Sequence, residues 1–217
     1  MATSILKSIK GKVVRLTRLD DCGDPVVGSC STLVSDCFVS VTLSAEIEAG
    51  DEYLQKSAWG DLCINDKDPD IVKWVNVSIN FAEINPDALD ILTGADPIVS
   101  GGNTIGAAWA PVANDTAFAL EVWTKFTGEP CTGNPDWGYF VVPFVRNGRI
   151  DGDLTIENNV MTVGVIGQGF ATTNWADSPY TPNPFIETFP TGNIFGMVVT
   201  SVQPPTDTAG CIPYTGS

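Results

Sequence analysis

Histidine is missing from all 217 residues. That absence removes every catalytic device built on an imidazole, the serine and cysteine triads first among them, and with it the commonest zinc and haem ligand. Six cysteines occur, but no Cys-x-x-Cys pair, so zinc-ribbon and haem-attachment signatures fail as well. Bases are scarce: 11 Lys and Arg against 26 Asp and Glu leave a net charge of −15. A body of that sign repels phosphate backbones and anionic membrane surfaces. No apolar run approaches the roughly 18 residues of a membrane-spanning helix. The opening MATSILKSIKGKVVRLTRL interrupts its apolar residues with a base every few positions and has no continuous h-region, so the expectation is a soluble product made in the cytoplasm.

What is present suffices for a folded body. Hydrophobic residues at 43% with charged residues at 17% support a core and argue against disorder, and all-β domains often reach this length as one unit. The charge is uneven. Lys7, Lys10, Lys12, Arg15 and Arg18 precede the first acid, Asp20, and the remainder carries a net −20. Residues 1–18 therefore read as a basic N-terminal arm, either solvated or laid on the acidic surface of a neighbouring copy. Residues 19–202 read as one domain, which the resemblance given below implies is a β-sandwich, and 203–217 as an extended C-terminal tail. Of the cysteines, Cys22, Cys30 and Cys37 are near enough in sequence to pair under oxidising conditions, but spacing does not choose among the connectivities. Buried reduced thiols are the default expectation.

Period-two alternation marks the strands. Val39, Val41, Leu43, Ala45 and Ile47 alternate with Ser40, Thr42, Ser44, Glu46 and Glu48, which predicts a half-buried strand. EAGDE then predicts a turn and YLQKSAW a returning strand, placing Glu46, Glu48, Asp51 and Glu52 on the polar face and tip of a hairpin. The same period recurs over Val75–Phe81 and over Phe118–Phe126, where Glu121, Trp123 and Lys125 fall on the opposite side. Further strands are predicted in WGYFVVPFV, where Pro143 points to an edge or a bulge, in DLTIE, in VMTVGVIG and in IFGMVVTSV. NPDALDILTG predicts a helix over 86–93, with Asn85 as N-cap, Pro86 at its first position and Gly94 as its stop. Residues 98–117 and 172–192 read as long loops.

No chemical motif is complete. Glu46 and Glu48 stand about 6.6 Å apart on one strand face at about 3.3 Å per residue, a spacing a glycosidase pair tolerates, yet no apolar pocket accompanies them to raise one pKa. Asp66, Asp68 and Asp70 copy the opening of a calcium loop, but Ile71 and Val77 stand where glycine and glutamate belong. GGNTIGA puts Ala107 in place of the phosphate-loop lysine, and GVIGQGF has its glycines in the wrong order for a dinucleotide site. Trp59, Trp74, Trp109, Trp123, Trp137 and Trp175 form a sugar platform only if several share one exposed face; core or interface mass is the commoner use. No catalytic residue, metal ligand or cofactor is expected.

VVRLTRLDDCGDPV, LVSDCFVSVTLSAEIEAGDEYLQKSAWGDLCINDKDPD, KWVNVSINFAEINPDALDILTG, ALEVWTK and WGYFVVPFVRNGRIDGDLTIENN together resemble the major tail tube proteins of long-tailed phages of actinobacteria, over most of residues 12–160. EIEAGDE with GDLCINDKD, and the NPDALDILTG helix, are the most specific parts. The resemblance implies an all-β sandwich or barrel with one short helix, six copies closed into a ring, and rings stacked into a hollow tail tube that conducts the genome. It implies a virion protein, assembled in the host cytoplasm, whose partners are further copies of itself, tail tip and tail terminator proteins, a tape measure protein inside the tube, and genomic DNA in transit without specific binding. On that view Glu46, Glu48, Asp51 and Glu52 line the bore or meet a neighbour, and the basic arm reaches the next ring. The rival expectation is a secreted β-sandwich that binds glycan or calcium.

Overall fold

The computed structural model describes residues 7–83, 85–110, 116–127, 137–152, 162–175, 189–206 and 210–215. In chain order these contain β1 (Lys7–Leu19), β2 (Gly28–Ser35), β3 (Phe38–Glu48), β4 (Glu52–Lys56), β5 (Leu62–Lys67), β6 (Ile71–Phe81), α1 (Pro86–Thr93), β7 (Asp96–Ser100), β8 (Asn103–Ala108), β9 (Ala117–Thr127), β10 (Trp137–Ile150), β11 (Val163–Gly169), β12 (Gly196–Thr200) and β13 (Cys211–Tyr214). The described residues are nearly all-β with one short helix, as the alternation predicts.

Nine strands form one antiparallel sheet in the order β13-β2-β1-β9-β10-β11-β6-β3, with β12 added alongside β10. Pro143 explains how one sheet makes two layers. The β9–β10 register shifts between Val142 and Val145, around a residue with no N–H to give to a ladder. Before the bulge, Trp137–Val141 carries β12; after it, Val145–Ile150 carries β11. The sheet then folds over until β3 crosses β1, where the Phe38 ring sits so close to Gly11 that a Cβ there would lie 2.5 Å from Phe38 Cζ.

Between the layers lie Val14, Leu16, Leu33, Val77, Ile79, Phe118, Leu120, Val142, Val145 and Val165, closed at one end by Ala88, Leu89, Ile91 and Leu92 of α1. Each large apolar side chain fully buried there contributes about 1.5–3 kcal/mol. The helix begins and ends where the sequence predicts. Asn85 Oδ1 accepts from the backbone N–H of Asp87 and Ala88 at 3.0 and 3.3 Å, and Gly94 closes it in the left-handed conformation at φ 63°. A second cluster, with Leu19, Ala119, Trp123, Tyr139, Trp175 and Phe189, covers the opposite face of β1, β9 and β10.

Several expectations need correction. Residues 7–18 are not a free arm: they belong to β1, which pairs with β9 along its length and with β2 from Val14 to Thr17. The 203–217 segment is not wholly an extended tail, because Cys211–Tyr214 pairs with β2 and Cys211 forms a disulfide with Cys30. That bond also overturns the expectation of buried reduced thiols, and Cys22, Cys37 and Cys63 are exposed; Cys131 lies outside the described residues. From Ala117 to Trp123 β9 has no solvent-facing side, since every residue there is buried. β3 is less buried than its alternation suggests. A register shift between Phe38 and Ser40 throws Val39 outward, and of the strand's apolar residues Phe38, Val41 and Leu43 pack on the core. The stretch read as a loop after Ile98 includes the β7–β8 hairpin, turned by Gly101 and Gly102. The predicted DLTIE strand lies outside the described residues.

Candidate functional site

β3 and β4 do not form the predicted hairpin with each other. β3 pairs with β6, and β4 pairs with β5. The chain therefore runs out along β3, continues through β4, turns at Ser57–Asp61, and returns through β5 and β6. The product is a two-stranded arm on the sandwich. From Ser44 to Lys73 every residue is exposed except Gly50 and Ser57, which are half-buried.

Two features build its root. Gly50 donates its N–H to Asp70 Oδ1 at 3.0 Å, and Asp68 donates its N–H to the Asp51 carbonyl at 2.9 Å. The crossing is tight enough that a Cβ on Gly50 would lie 2.0 Å from the Asp68 carbonyl oxygen, so only glycine fits without a shift of backbone. Asp70 also meets Lys67 Nζ at 3.0 Å. The Gly50 N–H, and then the Lys67 ammonium, hold the Asp70 carboxyl below its ordinary pKa, while Asp70 holds the Lys67 ammonium above its own. At the tip, Ser57 Oγ accepts from the N–H groups of Trp59 and Asp61.

All four carboxylates singled out from sequence, Glu46, Glu48, Asp51 and Glu52, are on this arm and exposed. Glu48 pairs with Lys73 at 3.1 Å, and Glu52 lies opposite Lys67 in the β4–β5 register. The segment 44–73 holds eight acids against three bases, so the arm is strongly anionic. It is also strongly apolar: Ile47, Tyr53, Leu54, Leu62, Ile64, Ile71 and Val72 are exposed, and Trp59 at the tip is 94% exposed. The β4–β5 register puts Leu54 on one face and Tyr53 with Ile64 on the other, so both faces present apolar surface to solvent. The β7–β8 hairpin adds exposed Ile98, Val99 and Ile105.

The basic residues separate into two groups. Lys10 and Lys12 are exposed on β1, and Lys7 is paired with Thr127 through the backbone. Arg15 and Arg18, however, face inward. Arg15 is 4% exposed and its guanidinium meets the wholly buried Glu121 carboxylate, Nε donating at 2.6 Å, while Tyr139 Oη donates to the other Glu121 oxygen at 2.6 Å. Arg18 pairs with Asp90 of α1 at 2.6 Å. Arg15 is thereby closed off from solvent, and Arg18, at 28% exposure, is engaged by Asp90 within the same chain. Sequence reasoning missed the Arg15–Glu121 pair because each was read alone; two opposite charges inside strands of otherwise apolar character were the available signal.

The rival chemistries lack geometry. Asp66, Asp68 and Asp70 do not converge: the first accepts from the Lys67 N–H, the second from Tyr53 Oη, the third from the Gly50 N–H. Among the described residues, Cys30, Asp87 and Cys211 are the one group of three potential metal ligands within reach of one another. Trp123 and Trp175 are buried, and the exposed Trp59 and Trp109 belong to different hairpin regions, Trp109 Nε1 donating to Thr93 at 3.2 Å. An apolar cavity of about 300 Å³ lies between Val41 and Leu43 of β3 and Leu120, Val122, Phe140 and Val142 of β9 and β10, without a convergent charged group. No known family model matches the chain, and comparison with curated proteins gives no significant match.

Proposed function

We propose that this chain is a structural, self-assembling virion protein whose copies close into hexameric rings and stack into a phage tail tube, a conduit for genome delivery. The observation that carries the reading is the arm. A two-stranded ribbon is marginal by itself in water, and one with large apolar residues on both faces is an aggregation hazard unless a specific partner covers it. A second copy is the simplest such partner: identical subunits close such surfaces by symmetry, each giving its arm to a neighbour and receiving another. Two of the stretches most specific to the tail-tube resemblance, EIEAGDE and GDLCINDKD, fall on this arm.

Charge supplies the second half of the function. Cations along a channel would release counterions from passing DNA and grip its phosphates. Carboxylates leave the duplex ungripped and repel it over a screening length of about 10 Å at 0.1 M salt. Glu46, Glu48, Asp51 and Glu52 are the candidates to line the bore, and Lys10 and Lys12 the bases that remain for contact between copies. Tail tip and terminator proteins would nucleate and end the stack, and a tape measure protein would occupy it during assembly in the host cytoplasm. The secreted glycan- or calcium-binding reading is weaker, because its aspartates do not converge and its exposed tryptophans do not share a hairpin.

The test is a shortened arm. Replacing Ala49–Asp70 by Asn-Gly joins Glu48 to its cross-strand partner Ile71. The full chain should form rings or tubes on concentration or nucleation, seen by electron microscopy, and the shortened chain should stay monomeric with an unchanged unfolding midpoint. Equal assembly by both chains, or none by the full chain under any nucleation, contradicts the proposal. Changing all four glutamate and aspartate candidates to Lys should leave tubes intact yet impair genome delivery.

A further inference from the structure

Cys30 of β2, Cys211 of β13 and Asp87 in the first turn of α1 meet at one half-buried point. The sulfurs are bonded, with Cα atoms 4.9 Å apart, and a carboxylate oxygen of Asp87 lies within 4.8 Å of both. The hydrogen bond at Asp87 comes from its backbone N–H to Asn85 Oδ1; no hydrogen bond or ion pair among the described residues engages its carboxylate. The helix N-terminus favours an acid there, but a disulfide offers it no donor. Once the sulfurs are thiolates, two of them and a carboxylate at this spacing suit a borderline-soft divalent cation.

We propose that the reduced chain binds a zinc-class divalent ion through Cys30 Sγ, Cys211 Sγ and the Asp87 carboxylate, with water in the fourth position. The two cysteines then tie β13 to β2 in either redox condition, by a covalent bond when oxidised and through the metal when reduced. A thiol or phosphine reductant supplies two electrons, the S–S bond breaks, and each sulfur takes a proton; metal binding releases both protons to solvent. The sulfurs must part to accept a metal at about 2.3 Å from each. The backbone pairing of Cys211 with Leu33 and Ile212 with Thr32 holds β13 in register while they do. This inference needs no assembly and stands apart from the tail-tube reading.

The experiment titrates Co²⁺, a spectroscopic stand-in for Zn²⁺, into the full chain kept reduced by a phosphine, with the oxidised chain as a folded control of identical sequence. The reduced chain should bind one equivalent with thiolate-to-cobalt charge transfer and tetrahedral ligand-field bands, both bleached by Zn²⁺; the oxidised chain should show neither. A variant with Cys22, Cys37, Cys63 and Cys131 changed to Ser should keep the signal, and Cys211→Ser should lose it. Changes in residues that only support metal ligands cost about 10–100-fold in affinity, so Asp87→Asn should cost about tenfold or more. Equal signals from oxidised and reduced chains, loss of signal in the four-serine variant, or unchanged affinity in Asp87→Asn would overturn the proposal.

Discussion

In the sandwich, Arg15 and Glu121 form an ion pair closed off from water; in the arm, Lys73 and Glu48 form one of the same chemical type at 42% and 59% exposure. The first sits between strands whose other side chains are packed on both faces, and the second on a ribbon that has no fully buried residue from Ser44 to Lys73. A buried pair is costly to desolvate but costlier to break, while an exposed pair is screened and contributes little. Identical chemistry is therefore costly to break in one region and contributes little to holding the other.

The largest effect should come from breaking the buried pair. Glu121→Ala removes the carboxylate that faces Arg15 and Tyr139, and should lower unfolding free energy by about 3–5 kcal/mol in urea titration. Replacing both charges with apolar residues of similar volume, Arg15→Met with Glu121→Leu, should recover most of that loss. Next comes Cys211→Ser, which frees β13 from β2 and under non-reducing conditions should cost about 2–4 kcal/mol in the same assay.

In the arm, substitutions should leave the sandwich alone. Gly50→Ala pushes a methyl into the Asp68 carbonyl, so it should speed amide exchange throughout residues 44–73 and weaken assembly while the thermal midpoint moves little. Lys73→Ala should change stability by less than about 1 kcal/mol, as exposed pairs do. The pH response sharpens the contrast further. Because its folded pKa is depressed, the contribution of Asp70 is present above the unfolded value and fades as pH falls through the folded one. The Gly50 amide resonance should accordingly titrate below the ordinary aspartate range, and Asp70→Asn should abolish that step.

How legible this was in sequence varies with the kind of signal. The helix could be read to the residue because Asn85, Pro86 and Gly94 act locally, each satisfying or ending a backbone hydrogen-bond series within one turn. Val75–Phe81 was equally plain, with one face buried and one less so. β1 was hidden by its five bases, although Val14 and Leu16 alternate with Arg15 and Thr17 as a strand should; only the distant Glu121 makes Arg15 an interior residue. The arm was half legible. Alternation located β3 and the acids, but the choice of β6 rather than β4 as its partner depends on a later turn, at Ser57–Asp61, beyond the end of β3 at Glu48. The Cys30–Cys211 bond joins positions 181 residues apart, beyond any argument from spacing.

The most direct measurement is hydrogen exchange at the backbone amides of residues 44–73, compared between dispersed chains and the assembled state. Fast exchange along the arm in the dispersed chain and strong protection on assembly are expected, with the sandwich strands protected in both. Arm amides that exchange as fast in the assembly as in the dispersed chain would contradict it.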